Sequence, residues 1–191
     1  MIALAFLLTG CANSQISQSF TITDNDVSTI SIDSQSSFSV TRVVVLANGV
    51  AEIMNSLNAK ALIVGRDLAS SEKALGDIPV VTSGHQVLPE KVIALKPDLV
   101  IIDASTGPKS AIDQIKSAGI RVEQTPESWN LDDISLNVQA VADVIGAPQQ
   151  GGLLNHAMSS AITNSKLSSK PRIAFLYLRG TSSVYLIGGP G

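Results

Sequence analysis

Three short runs of this chain are apolar at every position: Val43-Val44-Val45-Leu46, Ala61-Leu62-Ile63-Val64 and Leu99-Val100-Ile101-Ile102. A strand with one face in water alternates apolar and polar side chains, whereas a strand covered on both faces does not. Each run has strand length. The first is followed by the turn signal Asn48-Gly49 and then by apolar residues at helical spacing over 50–57. Residues 108–118 are expected to form another helix, stopped at Gly119, and 79–81 and 120–123 further strands. Unalternated strands separated by helices imply a parallel sheet with helices on both faces and short right-handed crossovers. The fold class expected is therefore α/β.

Residues 82–102, T-S-G-H-Q-V-L-P-E-K-V-I-A-L-K-P-D-L-V-I-I, join two of these segments. Gly84 opens a loop that carries His85, one of two histidines in the chain. Pro89 suits the first turn of a helix, and Glu90 beside it complements the helix's N-terminal partial charge. Pro97 forbids continuation of that helix and biases Lys96 toward extended geometry. In open sheets of this kind, ligands sit beyond the carboxyl ends of the strands. Those ends are expected at 47–49, 65–67, 83–85 and 103–106, so His85 stands where a ligand would lie. A lone loop histidine is by default solvated, and this position does not by itself make it a metal ligand. Arg66, at another strand end, is a candidate partner for an anionic group.

Residues 131–145 carry Ile134, Val138, Val141 and Ile145 on one helical face, with Asp132 and Asp133 in the first turn. Gly146-Ala147-Pro148 breaks that helix. A second helix is expected over 149–166, weakened by Gly151 and Gly152. His156 falls in it as an exposed helix residue. After Lys170-Pro171 a strand over 172–178 leads through Arg179-Gly180-Thr181 to another over 184–187. A second α/β unit thus begins and is not completed, and the chain reads as truncated.

Composition excludes several classes. With 45% apolar and 15% charged residues, a packed core is expected and global disorder is not. A net charge of -3 and 4% aromatic residues argue against a nucleic-acid binder. No dinucleotide fingerprint, phosphate-binding loop, zinc cluster or nucleophile elbow is present, so an enzyme is not expected. The single cysteine, Cys11, rules out an intrachain disulfide. It ends the apolar run M-I-A-L-A-F-L-L-T-G-C, which is too short to span a bilayer and has the form of a secretory h-region. Leu8-Thr9-Gly10-Cys11 resembles the bacterial lipobox, which implies cleavage before Cys11 and lipidation of its thiol. No Lys or Arg precedes the run, a departure that leaves open whether the true start lies upstream of Met1. Residues 12–41, rich in Ser, Thr, Gln, Asn and Asp, have the composition of a flexible spacer.

From residue 42 onward the chain resembles a known family. V-V-V-L-A-N-G-V-A-E-I, L-I-V-G-R-D and L-P-E-K-V-I-A-L-K-P-D-L-V-I are similar to the N-terminal lobe of ABC-importer substrate-binding proteins for haem, siderophores and cobalamin. The resemblance implies two α/β lobes joined by one helix, with the ligand between them. The expected division is signal peptide 1–11, spacer 12–41, first lobe 42–130, helical connection 131–169 and the start of a second lobe at 170–191. Gly84-His85 before L-P-E, and F-L-Y-L-R-G followed by V-Y-L-I-G-G, resemble the haem-binding members of the HmuT type. That resemblance implies His85 and Tyr177 as axial ligands of haem iron, with Arg179 supporting the tyrosinate. The chemistry agrees, because ferric haem accepts imidazole or phenolate. A phenol with an ordinary pKa near 10 needs the metal and a nearby cation to ionise. Arg179, two residues after Tyr177, shares a strand face with it. Tyr185 is the competing tyrosine, in an apolar strand without a following arginine.

The family also presents one acidic residue per lobe to the permease dimer. Glu90 matches the first-lobe position, and Glu52 is a weaker candidate. The function implied is capture of haem on the extracytoplasmic face, by a monomer held to the membrane through Cys11, and delivery to an ABC permease with its ATPase. The alternatives are a siderophore or cobalamin carrier of the same fold, or a surface haem-binding lipoprotein without a transporter.

Overall fold

The computed structural model describes residues 30–32 and 37–164, together with the backbone of 175–179 and 183–187. The signal-peptide and lipidation expectations, Cys11 included, lie outside the described residues.

The elements follow in the order β1 (Val43–Val45), α1 (Val50–Ser56), a 3-10 turn Lys60–Leu62, β2 (Ile63–Arg66) and a second 3-10 turn Lys73–Leu75. Then come the short strands β3 (Thr82–Ser83) and β4 (Gln86–Val87), α2 (Pro89–Ala94), β5 (Leu99–Ile102), α3 (Lys109–Ser117) and β6 (Arg121–Gln124). Two helices, α4 (Leu131–Ile145) and α5 (Pro148–Asn164), precede the antiparallel pair β7 (Phe175–Arg179) and β8 (Ser183–Ile187). β1, β2, β5 and β6 form one parallel sheet in the order β2-β1-β5-β6.

The two central strands explain the unalternated apolar runs. Val43, Val45, Leu99 and Ile101 turn to one face and pack with α1, α4 and α5 residues such as Met54, Val141, Ile145 and Leu154. Val44, Val100 and Ile102 turn to the other face and pack with Val92 of α2 and Ile112 and Ile115 of α3. All seven residues of β1 and β5 are buried. Edge strand β6 is more exposed, and the Arg121–Glu123 ion pair sits along it at 2.9 Å. Charged side chains on an edge strand discourage pairing with another chain.

The helix-stop-strand segment closes the amino end of this sheet. The Asp98 carboxylate accepts the Thr41 N–H at 2.7 Å, the Thr41 hydroxyl at 2.8 Å and the Arg42 N–H at 3.1 Å. The Asp98 and Leu99 N–H groups donate back to the Arg42 carbonyl. Arg42 in turn donates to the Leu95 and Lys96 carbonyls that end α2. The last carbonyls of a helix lack intrahelical partners, and a guanidinium satisfies several at once.

Four expectations are corrected. Lys96 is not extended but left-handed, at φ 48°, where its N–H closes the last turn of α2 onto Ile93. The second strand begins at Ile63, because Lys60–Leu62 tightens into a 3-10 turn, and it runs through Gly65 and Arg66. A Cβ on Gly65 would lie 2.7 Å from the end of the Leu95 side chain, so a larger residue there would push Leu95 aside. At 79–81 there is no full strand but a single parallel bridge from Val80 to Arg66. The spacer boundary also moves: Val40 is buried, and Ile30, Ile32 and Phe38 pack against the core. The Ser39 N–H donates to the Ile145 carbonyl at 2.8 Å. Four apolar residues in a polar stretch are enough to hold its end on the lobe.

Asp98→Ala removes all three acceptor contacts at the amino end of β5. Loss of charge-assisted hydrogen bonds of this kind is expected to destabilise the lobe by about 1–2 kcal/mol. Chemical denaturation with an unchanged m value checks this.

Candidate functional site

The carboxyl ends of β1, β2 and β5 are open, and the β3–β4 hairpin rises beside them. Its feet are fixed by the scaffold. The Val81 N–H donates to the Arg66 carbonyl, Leu88 N–H to the Val81 carbonyl, and Val87 N–H to the Gly107 carbonyl, at 2.9–3.0 Å. Thr82 pairs with Val87 and Ser83 with Gln86, which leaves Gly84 and His85 as a two-residue turn. Gly84 has φ +58°, the left-handed geometry that such turns require. His85 is exposed at the tip, and its ring makes no hydrogen bond among the described residues. Where a loop was expected, the structure has a tight hairpin. Two strands of two residues each have no periodicity to reveal them in sequence.

Between this hairpin and the strand ends lies a pocket of about 500 Å³. Its lining mixes apolar groups (Leu46, Leu68 and Val87) with polar ones (Asn48, Thr82, His85, Ser105 and Thr106). Asp103 organises the floor. Its carboxylate accepts the Asn48 N–H at 2.9 Å, the Ser105 N–H at 2.9 Å, the Ser105 hydroxyl at 2.7 Å and the Thr106 hydroxyl at 3.0 Å. Burial pushes the Asp103 carboxyl up, but the hydrogen bonds from Asn48, Ser105 and Thr106 outweigh it and hold its pKa below the ordinary value. One anion thus fixes the turn after β1 to the turn after β5. Sequence reading placed residue 103 at a strand end but gave it no role; an aspartate followed at i+2 and i+3 by Ser and Thr is the signal that was present.

Other candidates fall elsewhere. Arg66 does not face the pocket as a free cation. It is buried, and its guanidinium donates to the carbonyls of Leu75, Ile78, Asp67 and Ser70, holding the 67–78 connection in place. Glu90 is exposed in the first turn of α2. His156 is exposed on α5. Tyr177 and Tyr185 are direct cross-strand partners in the β7–β8 pair, and Arg179 pairs with Ser183. The side chains of these residues lie outside the described part, so the expected contact of Tyr177 and Arg179 with the pocket does too.

Glu52, the weaker docking candidate, does not stand free in solvent. It is half-buried, and its Oε2 has no hydrogen-bond partner among the described residues. It lines a second cavity of about 250 Å³ between α1, α4 and α5, together with Glu72. Burial pushes its carboxyl above the ordinary value near 4.5, and the negative charges of Glu72 and Asp67 add to that.

An open pocket at the carboxyl edge of an α/β sheet is where a small ligand is expected to sit. The match to known sequences agrees. Residues 43–191 match the model of the periplasmic binding protein family, and the chain belongs to that family. It is 27% identical to the uncharacterised ABC transporter substrate-binding lipoprotein YvrC of Bacillus subtilis, over 89% of this chain and 57% of that one. It is 22% identical to the vitamin B12-binding protein of Vibrio parahaemolyticus, over 78% and 55%. Among solved structures, the haem-binding protein HmuT superposes with a TM-score of 0.67 at 31% identity, over 78% of this chain and 52% of that one. The apo form of the periplasmic haem-binding protein RhuT from Roseiflexus sp. RS-1 gives 0.69 at 28%, over 77% and 59%. The chain spans about half the length of these relatives.

Replacing Glu52 with the neutral Gln tests the second cavity. A carboxyl with a raised folded pKa contributes stability that is full below its unfolded value and lost as pH rises through the folded value. Glu52→Gln is therefore expected to be more stable than the parent at neutral pH. Its stability should also vary less as pH rises above about 4.5, where the parent loses the contribution of the protonated carboxyl. Thermal melts across that range check both.

Proposed function

We propose that this protein captures haem outside the cytoplasm and passes it to an ABC permease. The observation that carries the proposal is His85: an imidazole without a protein partner among the described residues, held on a fixed hairpin over an open pocket of about 500 Å³. A neutral imidazole is a common axial ligand for haem iron. The haem-binding relatives named above support the same choice of cargo.

In this reading His85 supplies one axial ligand from the first lobe. Tyr177 supplies the other as phenolate, and Arg179 stabilises its charge. Ligands from two lobes on opposite faces of one porphyrin couple binding to closure of the lobes. Glu90, exposed at the start of α2, is the first-lobe contact for a basic residue of the permease dimer. Cys11, lipidated after cleavage, holds the monomer at the outer face of the membrane.

The B12-binding relative favours a second reading, in which the cargo is a cobalamin or siderophore. Its metal is already ligated, and His85 and Tyr177 then only line the pocket. Hemin titration separates the two. Haem capture predicts a shifted Soret band on mixing with the protein, and His85→Ala should change that spectrum and weaken binding by about tenfold or more. No Soret change with the parent protein, or identical spectra and affinities for the parent, His85→Ala and Tyr177→Ala, would rule haem out as the cargo.

A further inference from the structure

Trp129, the only tryptophan of the chain, has no role in the site as described so far. It is 84% exposed, the highest value among the large apolar side chains of the described residues. Its backbone is nonetheless rigidly held. It directly precedes Asn130, the N-cap of α4, whose side chain accepts the Asp132 and Asp133 N–H groups. The Asp133 carboxylate accepts the Trp129 N–H at 2.8 Å and the Asn130 N–H at 3.1 Å. An apolar residue just ahead of an N-cap ordinarily packs on the fourth residue of the helix, here Ile134. That local role does not account for Trp129, because Ile134 packs against the core while the indole stays in water. The indole N–H donates to Glu127 at 3.1 Å, which orients one edge of the ring and leaves most of its surface accessible.

The position of this indole is informative. The loop 125–130 leaves the carboxyl end of β6, on the same edge of the sheet as the pocket. The strand order β2-β1-β5-β6 places that end beside β5, whose turn carries Ser105 and Thr106 in the pocket wall. At the other end of the row, Leu68 follows β2, lines the pocket and is 54% exposed. Strands in a sheet lie about 4.8 Å apart, so the two outer strand ends are separated by roughly 14 Å. An extended planar ligand seated in the pocket would reach along this row toward the β6 loop; Trp129 itself is not among the residues that line the pocket. Large apolar groups stand exposed at both ends of the row, with polar turns between them.

We propose that Trp129 is a ligand-contacting residue, whose indole stacks on the tetrapyrrole in the pocket and closes its β6 side. The inference rests on the haem reading above and extends the site by one strand. An extended π system and an indole attract each other through stacking and burial of apolar area. The ring is already oriented and its backbone capped, so little freedom is lost when the ligand arrives.

Hemin titrations of the parent protein, Trp129→Ala and Trp129→Phe, followed at the Soret band, test this. Trp129→Ala is expected to weaken binding about tenfold, and Trp129→Phe to recover it to within about threefold. The Soret maximum should be the same in all three, since the iron ligands are untouched, and matching circular dichroism spectra verify the fold. Hemin affinity of Trp129→Ala equal to that of the parent overturns the inference and leaves the haem reading standing. So does a blue-shifted, acrylamide-protected indole emission in the ligand-free parent, which would mean that protein covers the ring. Absence of any Soret change in the parent removes the haem reading and this inference together.

Discussion

Burial of β1 and β5 on both faces is the constraint on which everything else here depends. Val44 and Val100 turn one way, Val43, Val45, Leu99 and Ile101 the other, and both sets are buried. With two helical layers committed to covering the sheet, backbone polar groups can meet water or a ligand only where the strands end. The polar side chains of the lobe gather there accordingly. Asn48, Asp103, Ser105 and Thr106 all lie in the first turns beyond the carboxyl ends of β1 and β5. The pocket is therefore a by-product of how the core is closed.

The two ends of the sheet do different work. At the amino end, Asp98 and Arg42 tie two strand starts to the last turn of α2. At the carboxyl end, Asp103 ties two turns together and leaves space above them. The Lys96-Pro97-Asp98 stretch, part of one of the segments that carry the family resemblance, belongs to the amino end. This explains why family membership is easier to read from this chain than its cargo. Much of the resemblance lies in residues that hold the scaffold, whereas the proposed ligand contact, His85, sits in a two-residue turn.

The same division separates what was legible in the sequence from what was not. Strand β5 and helix α4 lie where the unalternated run and the apolar periodicity place them, since a long buried pattern and the Asn130–Asp133 cap leave few alternatives. β2 is displaced by two residues, because a 3-10 turn can also carry apolar residues, as Ala61 and Leu62 do. Gly65 and Arg66 have the composition of a terminus, yet one packs against Leu95 and the other is buried by hydrogen bonds to carbonyls. Neither environment leaves a local pattern. The packing of Ile30, Ile32, Phe38 and Val40 was hidden for a related reason: their contacts are with α1, α4 and the strands, all distant in sequence. Asp103 and Trp129 were within reach of sequence reasoning by position alone, but only topology shows that they share an edge with His85.

The anchoring of the β3–β4 hairpin has an evolutionary consequence. Its placement is set by main-chain bonds at Val81, Val87 and Leu88 and by the left-handed glycine at 84, none of which involves the side chain at 85. Position 85 is therefore decoupled from folding. A lineage can exchange imidazole there for thioether, phenol or amide and pay almost nothing in stability, while the location of that group above the strand ends is retained. If His85 is the cargo contact proposed above, such a scaffold can change its cargo by drift at one exposed position, without passing through an unfolded intermediate genotype.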